Sequence, residues 1–490
     1  MNRFKILSIS LSIITAMAVF SGCGEKKVNE SILNKDDPVT ITIWHYYNGV
    51  QQTNFDEMVN EFNDSVGREK GIIVEAYTKD SISELADSVV AAVKKDAGAE
   101  TPPDIFATYA ETAFQLDNMD ALADIKKYFT DEEISEYVDD YIKEGKFAND
   151  NTIKIFPTAK STEVMILNLT DWQKFADSEG VTYDNLKTWE GLADTAEKYY
   201  NYTDALTPDI ENDGKAFFGR DSIANYMIIG AKQLGCEFFS KDENGELKLT
   251  VDETAVRRLW DNYYVPYVSG YYTAQSRYRS DDAKTGAIIA LICSTTGTAY
   301  YPEEVTINDD YTYPIENVVL PVPDFEGSEP CIVQQGAGMS VIKSDEKNEY
   351  ASSVFLKWFT EEERNIEFSI NSGYLPVKKS ANDFEKISKV NEEKGNVIGD
   401  IMINTIKTAI DDINSSELYT SVPFETSSQA RDSFDSSIQK TAEKDYAEIC
   451  ERIANGENRS DVISEYISDA AFDEWFADFK SNLEQITYQK

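Results

Sequence analysis

Val39-Thr40-Ile41-Thr42-Ile43-Trp44 alternates apolar and polar side chains, the period-two signature of a strand. A loop, Trp44-His45-Tyr46-Tyr47-Asn48-Gly49, follows it. Phe55, Met58, Val59 and Phe62 then recur at the spacing of one helix face. A second strand is predicted over Ile72 to Tyr77, after a turn at Gly71. Ser81-Ile82-Ser83-Glu84 has the form of a capping box. It opens a helix whose apolar face is Ile82, Leu85, Ala86, Val89, Val90 and Val93. Pro102-Pro103 ends that region, and Asp104 to Ala107 reads as a third short strand. Strands alternating with amphipathic helices predict an α/β fold, with a parallel sheet covered on both faces.

The same alternation continues along the chain. Ile153 to Pro157 reads as a strand stopped by its proline, and Glu163 to Leu169 is an apolar run. Thr188 is placed to cap a helix carrying Trp189, Leu192, Ala193, Ala196 and Tyr200. Ala287 to Cys293 is a continuous apolar strand running into Ser294-Thr295-Thr296-Gly297. Val318 to Val322 is a further strand between turn signals, and Gly336 to Ile342 precedes a helix. Ala351, Val354, Phe355, Trp358 and Phe359 share a helix face, and Gly373-Tyr374-Leu375-Pro376-Val377 breaks that helical pattern. The C-terminal third keeps helical spacing through Val462, Ile463, Tyr466 and Ile467, and again from Trp475 to Leu483. No internal repeat interrupts this order.

Composition narrows the function. The 490 residues carry 46 Lys and Arg against 88 Asp and Glu, a formal net charge of −42. Such a chain repels phosphate backbones and anionic lipid surfaces, which excludes a nucleic-acid binder and favours neutral or cationic ligands. The one histidine, His45, excludes multi-His metal sites and most His-dependent catalytic triads. No cofactor is implied. Asp209-Ile210-Glu211-Asn212-Asp213-Gly214 resembles the start of a calcium loop. Its twelfth position would be Arg220 where a Glu is required, so it reads as a tight turn and no metal is assigned. Cys236, Cys293, Cys331 and Cys450 form no CxxC pair and read mostly as buried thiols.

Arg3 and Lys5 precede an apolar or small stretch from Ile6 to Phe20, too short to span a bilayer comfortably. Ser21-Gly22-Cys23 follows. This is a signal peptide over residues 1–22, and its end resembles a bacterial lipobox with Cys23 as the lipidated residue. Phe20 departs from that pattern, which has an aliphatic residue there. Residues 23–37 read as a polar tether that holds the body at the extracellular face of the membrane.

The order of four segments resembles the extracellular solute-binding proteins of ABC importers, the large family that includes maltose-binding protein. They are Val39 to Trp44 with its helix; Pro103-Asp104-Ile105-Phe106-Ala107; the run Lys284-Thr285-Gly286 through Ser294; and Gly336 to Ile342 together with Gly373 to Val377. Ile288-Ile289-Ala290 stands where the family commonly has an Ala-Met pair. The resemblance covers residues 38–490. It implies a two-lobed periplasmic-binding-protein-like fold of type II, with ligand in the cleft between the lobes. Carried over, lobe 1 is 38–155 with 326–374, and lobe 2 is 156–325 with 375–490. The hinge crossings then lie near Phe156-Pro157, Val322 to Glu329, and Tyr374 to Val377.

Ligands of open α/β sheets sit at the carboxyl ends of strands, which selects the candidate contacts. Trp44, His45, Tyr46 and Tyr47 leave the first strand, and aromatic rings suit the apolar faces of sugars. Tyr109 and Glu111 follow the third strand, where a carboxylate can accept two sugar hydroxyls. Lys160 and Ser161 follow the first crossing. Arg220, with Asp221, follows Gly219. Ser294 and Thr295 stand in the family's ligand loop. Gly336 and Gly338 let backbone approach a ligand closely, and Tyr374 lies by the third crossing. The resulting expectation is a monomeric, lipid-anchored, non-enzymatic receptor. It captures a carbohydrate, an oligosaccharide above all, for an ABC permease. Alternatives are a receptor for glycerol-phosphate diesters or another polar solute, a sensing or adhesion lipoprotein, and a glycosidase working through two carboxylates.

Overall fold

The computed structural model describes residues 32–147, 151–395 and 398–488. The leader and the lipobox cysteine lie outside them. Two four-stranded sheets organise the chain. In the first, Val39–His45 pairs in parallel with Ile72–Thr78 on one side and Ile105–Thr108 on the other. Ile41 and Ile43 are fully buried, and the following helix, Gly49–Phe62, turns Phe55, Met58, Val59 and Phe62 onto them. The turn before the second strand needs Gly71. Its φ is +76°, and a Cβ there would stand 2.2 Å from the Asn34 carbonyl oxygen.

The sheets are mixed, not wholly parallel. The edge strand Gly338–Val341 runs antiparallel to Ile105–Thr108, because the chain returns to it from the other lobe. In the second sheet the fully buried Glu163–Asn168 runs antiparallel to both Ala290–Ser294 and Asn317–Leu320. Phe218–Arg220 is parallel to Ala290–Ser294. Ile153 to Pro157 forms one bridge, Phe156 to Met339, rather than a strand. Pro157 offers no N–H to continue a ladder. The C-terminal helices Ser427–Ala454, Arg459–Tyr466 and Asp469–Tyr488 cover the second sheet's core, burying Phe434, Ile438, Phe472, Trp475 and Phe479 beside Trp260. Trp189 belongs to the same core, on a helix capped by Thr188. Cys236, Cys293 and Cys331 are buried free thiols, and Cys450 is an exposed one. Among the described residues no helix is long and apolar enough to cross a membrane.

Three backbone segments pass between the lobes side by side. Lys160 pairs with Leu375 through hydrogen bonds in both directions, and Ser161 pairs with Gln335 in the same way. The middle segment beside them is Gln334–Gly336. Cys331–Val333 is still paired with Glu417–Tyr419, beside Ile229 of the second lobe. Asn365, fully buried on the helix Glu362–Ser372, fastens this region. Its Nδ2 donates to the Thr158 carbonyl at 2.7 Å, and its Oδ1 accepts from the Val377 amide at 2.8 Å.

One buried carboxyl makes the second lobe sensitive to pH. Asp412 lies on the helix Asp400–Ser415 and is nine-tenths buried, with no hydrogen-bond partner for Oδ2. Burial, then the charges of Asp324 and Asp411, push its carboxyl up to about 7. The protonated form is therefore the one the fold favours. Its stabilisation is complete below the unfolded-state value and is lost as pH rises towards 7. Asp412→Asn, which imitates the protonated acid, is expected to gain at least about 2 °C in Tm relative to wild type at pH 8. At pH 4 it is expected to gain nothing, as read by thermal unfolding at the two pH values.

Candidate ligand cleft

The crossing segments form the floor of a cleft with two chambers. The larger, about 1040 Å³, has Tyr46, Asn48, Gln51 and Tyr109 on the first lobe. Asp221, Ser294, Thr296, Tyr278 and Tyr300 stand on the second, with Ser161, Gln335, Gly336 and Tyr374 between. The smaller, about 580 Å³, is bounded by Ile82, Glu111 and Glu144 on one side and Ile228, Tyr419 and Arg431 on the other. Tyr109 and Gln335 line both chambers, so the two meet there. Gly336 is required at the junction. With φ at +89°, its Cα sits so close to the first crossing that a Cβ would lie 3.0 Å from the Lys160 Cα.

Tyrosines dominate the larger chamber. Tyr46, Tyr109, Tyr278, Tyr300, Tyr301 and Tyr374 all line it, and the Tyr46 and Tyr374 hydroxyls stand 3.3 Å apart. Burial pushes the Tyr46, Tyr109 and Tyr374 phenols far above their ordinary value, so they remain neutral hydrogen-bonding groups. Tyr300 and Tyr278 are exposed at the second-lobe rim. Charge in the cleft is lopsided. Asp221, Asp281, Glu303 and Glu304 face Lys284 in the larger chamber. Asp87, Glu111, Glu144, Asp432 and Asp435 face Arg431 in the smaller.

Of the residues selected from sequence, Tyr46, Tyr109, Glu111, Ser161, Ser294, Gly336 and Tyr374 line this cleft. Asp221 lines it too. Seven others do not. The first strand runs on through His45, which carries Trp44 and His45 into the core. Trp44 packs with Leu85 and Phe106, under the Lys79 ammonium 4.1 Å from its ring centre. His45 lies against Tyr47 and Phe55, its Nδ1 accepting the Tyr47 amide at 3.2 Å. Burial pulls the imidazole down to about 4, so it is neutral. Tyr47 itself is 2% exposed, wedged among Phe55, Phe368 and Tyr374. Lys160 is fully buried, ion-paired with Glu144 and donating to the Gly336 carbonyl at 2.7 Å. Arg220 is buried against Glu163 at 2.7 Å, beneath Trp189 and Tyr226. Thr295 is fully buried. At Gly338 a Cβ would meet Ile155 Cγ2 at 2.4 Å, so this glycine serves strand packing.

Sequence reasoning did not single out Asn48, Gln51, Gln335 or Arg431. Gln335 directly precedes Gly336 on the crossing, a position that invited attention. Arg431 sits on a long polar helix whose sequence gives no sign of which residue meets the cleft.

A chain with two mixed sheets, three hinge passages and a deep cleft between the lobes has the architecture of a solute receptor. A profile of bacterial extracellular solute-binding proteins matches residues 57–394, more than half of the chain, and the chain belongs to that family. The family binds solutes without transforming them. No curated protein matches in sequence. Solved structures with similar folds include the cyclic alpha-maltosyl-1,6-maltose binding protein of Arthrobacter globiformis. It has a TM-score of 0.66 and 16% identity over 92% of this chain and 100% of that one. UgpB from Mycobacterium tuberculosis, in complex with glycerophosphocholine, has a TM-score of 0.65 and 16% identity over 91% and 98%. The maltotriose binding protein of Thermus thermophilus has a TM-score of 0.56 and 15% identity over 90% and 99%. At such identity the likeness establishes the fold, that of the type II periplasmic binding proteins.

The geometry separates two adjacent tyrosines that look alike in sequence. Tyr47→Ala removes a core ring and is expected to cost about 3–5 kcal/mol of stability in denaturant unfolding. Tyr46→Ala removes a partly buried ring and is expected to cost less stability than Tyr47→Ala, while weakening solute binding by about tenfold or more in calorimetry.

Proposed function

We propose that this protein captures a neutral carbohydrate, an oligosaccharide above all, in the interlobe cleft and delivers it to the permease of an ABC importer. It acts from the extracellular face of the membrane, anchored through a lipid on Cys23. The observation that carries this reading is the lining of the cleft. Six tyrosines surround the larger chamber, and carboxylates outnumber bases in both. Tyrosine rings bury the apolar faces of sugars while their hydroxyls bond to sugar hydroxyls. Carboxylates accept pairs of such hydroxyls. A strongly anionic solute would meet repulsion here, with only Lys284 and Arg431 to receive it. Proteins of similar fold that bind maltotriose or a cyclic maltosyl-maltose support the reading.

A second reading has one observation in its favour. Tyrosines and carboxylates also suit a quaternary ammonium group, and one structure of similar fold holds glycerophosphocholine.

A thermal-shift panel of neutral oligosaccharides, monosaccharides, uronic acids and glycerophosphocholine separates the two. A saturating neutral oligosaccharide is expected to stabilise by about 2.7 kcal/mol at one hundred times its Kd. A response to glycerophosphocholine alone would overturn the carbohydrate reading and leave the fold. Cys23→Ser is expected to release the protein from the membrane fraction; continued retention would contradict the lipid anchor.

A further inference from the structure

A continuous set of hydrogen bonds runs from the smaller chamber to the backbone of the middle crossing. It begins at Arg431, on the helix Ser427–Ala454, where Nη2 donates to Asn225 Oδ1 at 2.8 Å. Asn225 is 2% exposed. Its Nδ2 donates to Glu163 Oε1 at 2.8 Å and to Gln335 Oε1 at 3.2 Å. The other Glu163 oxygen is held by Arg220. The Gln335 side chain donates in turn to the Thr162 carbonyl at 3.2 Å, and its backbone exchanges two hydrogen bonds with Ser161.

Two features set Arg431 apart within this set. It is the sole basic side chain lining the smaller chamber, and no ion pair among the described residues holds it. A guanidinium has five N–H donors in a planar fork, and here one bond, to Asn225, fixes it. Its charge also reaches across the cleft, where it favours the ionised form of the Tyr109 phenol on the first lobe. Asn225, by contrast, is fully committed. If the guanidinium leaves Oδ1, a buried acceptor loses its partner, and the carboxamide that also holds Gln335 is free to turn.

We propose that Arg431 is a positioning residue that braces the middle crossing from the smaller chamber, so that a hydroxyl-rich solute taking its guanidinium releases Gln335 and loosens the crossing. The role of solute rests on the capture site proposed above. The brace itself does not.

The test is hydrogen exchange at single-amide resolution on the solute-free protein. The amides of Ser161 and Gln335 report the braced crossing, and those of Lys160 and Leu375 report the neighbouring one. Arg431→Ala is expected to speed exchange at Ser161 and Gln335 by about tenfold and to leave Lys160 and Leu375 as in wild type. Arg431→Lys, which keeps a cationic donor, is expected to restore part of the protection. In a Gln335→Met background, which lacks the accepting carboxamide, Arg431→Ala is expected to add nothing. Unchanged rates at Ser161 and Gln335, or equal acceleration at all four amides, would overturn the proposal. Because no sugar enters the measurement, failure of the carbohydrate reading would leave its result intact.

Discussion

The cleft depends on one buried ion pair at the point where the chain crosses. Lys160 has no exposure and is held by Glu144 of the first lobe and by the Gly336 carbonyl of the middle crossing. Its backbone is tied to Leu375 of the third crossing. One residue thus touches all three passages. A buried charge is tolerated only when paired and hydrogen-bonded, and loss of one partner from such a pair costs about 3–5 kcal/mol. Gln334 also donates to Glu144 at 3.0 Å, which closes the set around the carboxylate. Lys160, which looks like a ligand contact in the sequence, is spent on holding the crossings together, and Arg220 on a pair with Glu163 inside the second sheet.

That expenditure shapes what the cleft can bind. With Lys160 and Arg220 withdrawn into ion pairs, the surfaces left to a solute are phenols, hydroxyls, carboxamides and carboxylates, with Lys284 and Arg431 the bases among them. Neutral tyrosines provide flat apolar faces and hydrogen bonds without a net charge. The acidic composition of the whole chain therefore persists in the site instead of being reversed by a local patch of bases.

Much of the fold was legible in sequence because it rests on periodicity. Ile41 and Ile43 alternate, Phe55 to Phe62 recur at helical spacing, and four segments stand in an order that resembles the family. Sheet direction was not legible, since Gly338–Val341 has the same composition whichever way it runs. The site was legible by position and much less by residue. Loops after strands did reach the cleft through Tyr46, Tyr109 and Ser294. Within each loop, however, neighbours such as Tyr46 and Tyr47 differ in burial although their ring centres are 5.6 Å apart, and no local pattern in the sequence tells which one lines the cleft. Lys160 and Arg220 misled for a different reason. Their partners, Glu144 and Glu163, are respectively 16 and 57 residues away, and pairing over such spans leaves no local mark. Arg431 reaches the cleft through the packing of a C-terminal helix, which no motif encodes.

The central claim is the proposal that solute is captured between the lobes, and capture that engages both is expected to draw them together. Spin labels at Lys94, on the first lobe, and Lys440, on the second, in a Cys450→Ser background test it directly by pulsed dipolar spectroscopy. Both lysines are exposed, on helices that line the smaller chamber through their N-terminal turns. The account predicts that a saturating solute, added to the protein that binds it, moves the distance distribution to a single shorter and narrower peak. A distribution identical with and without bound solute would contradict it.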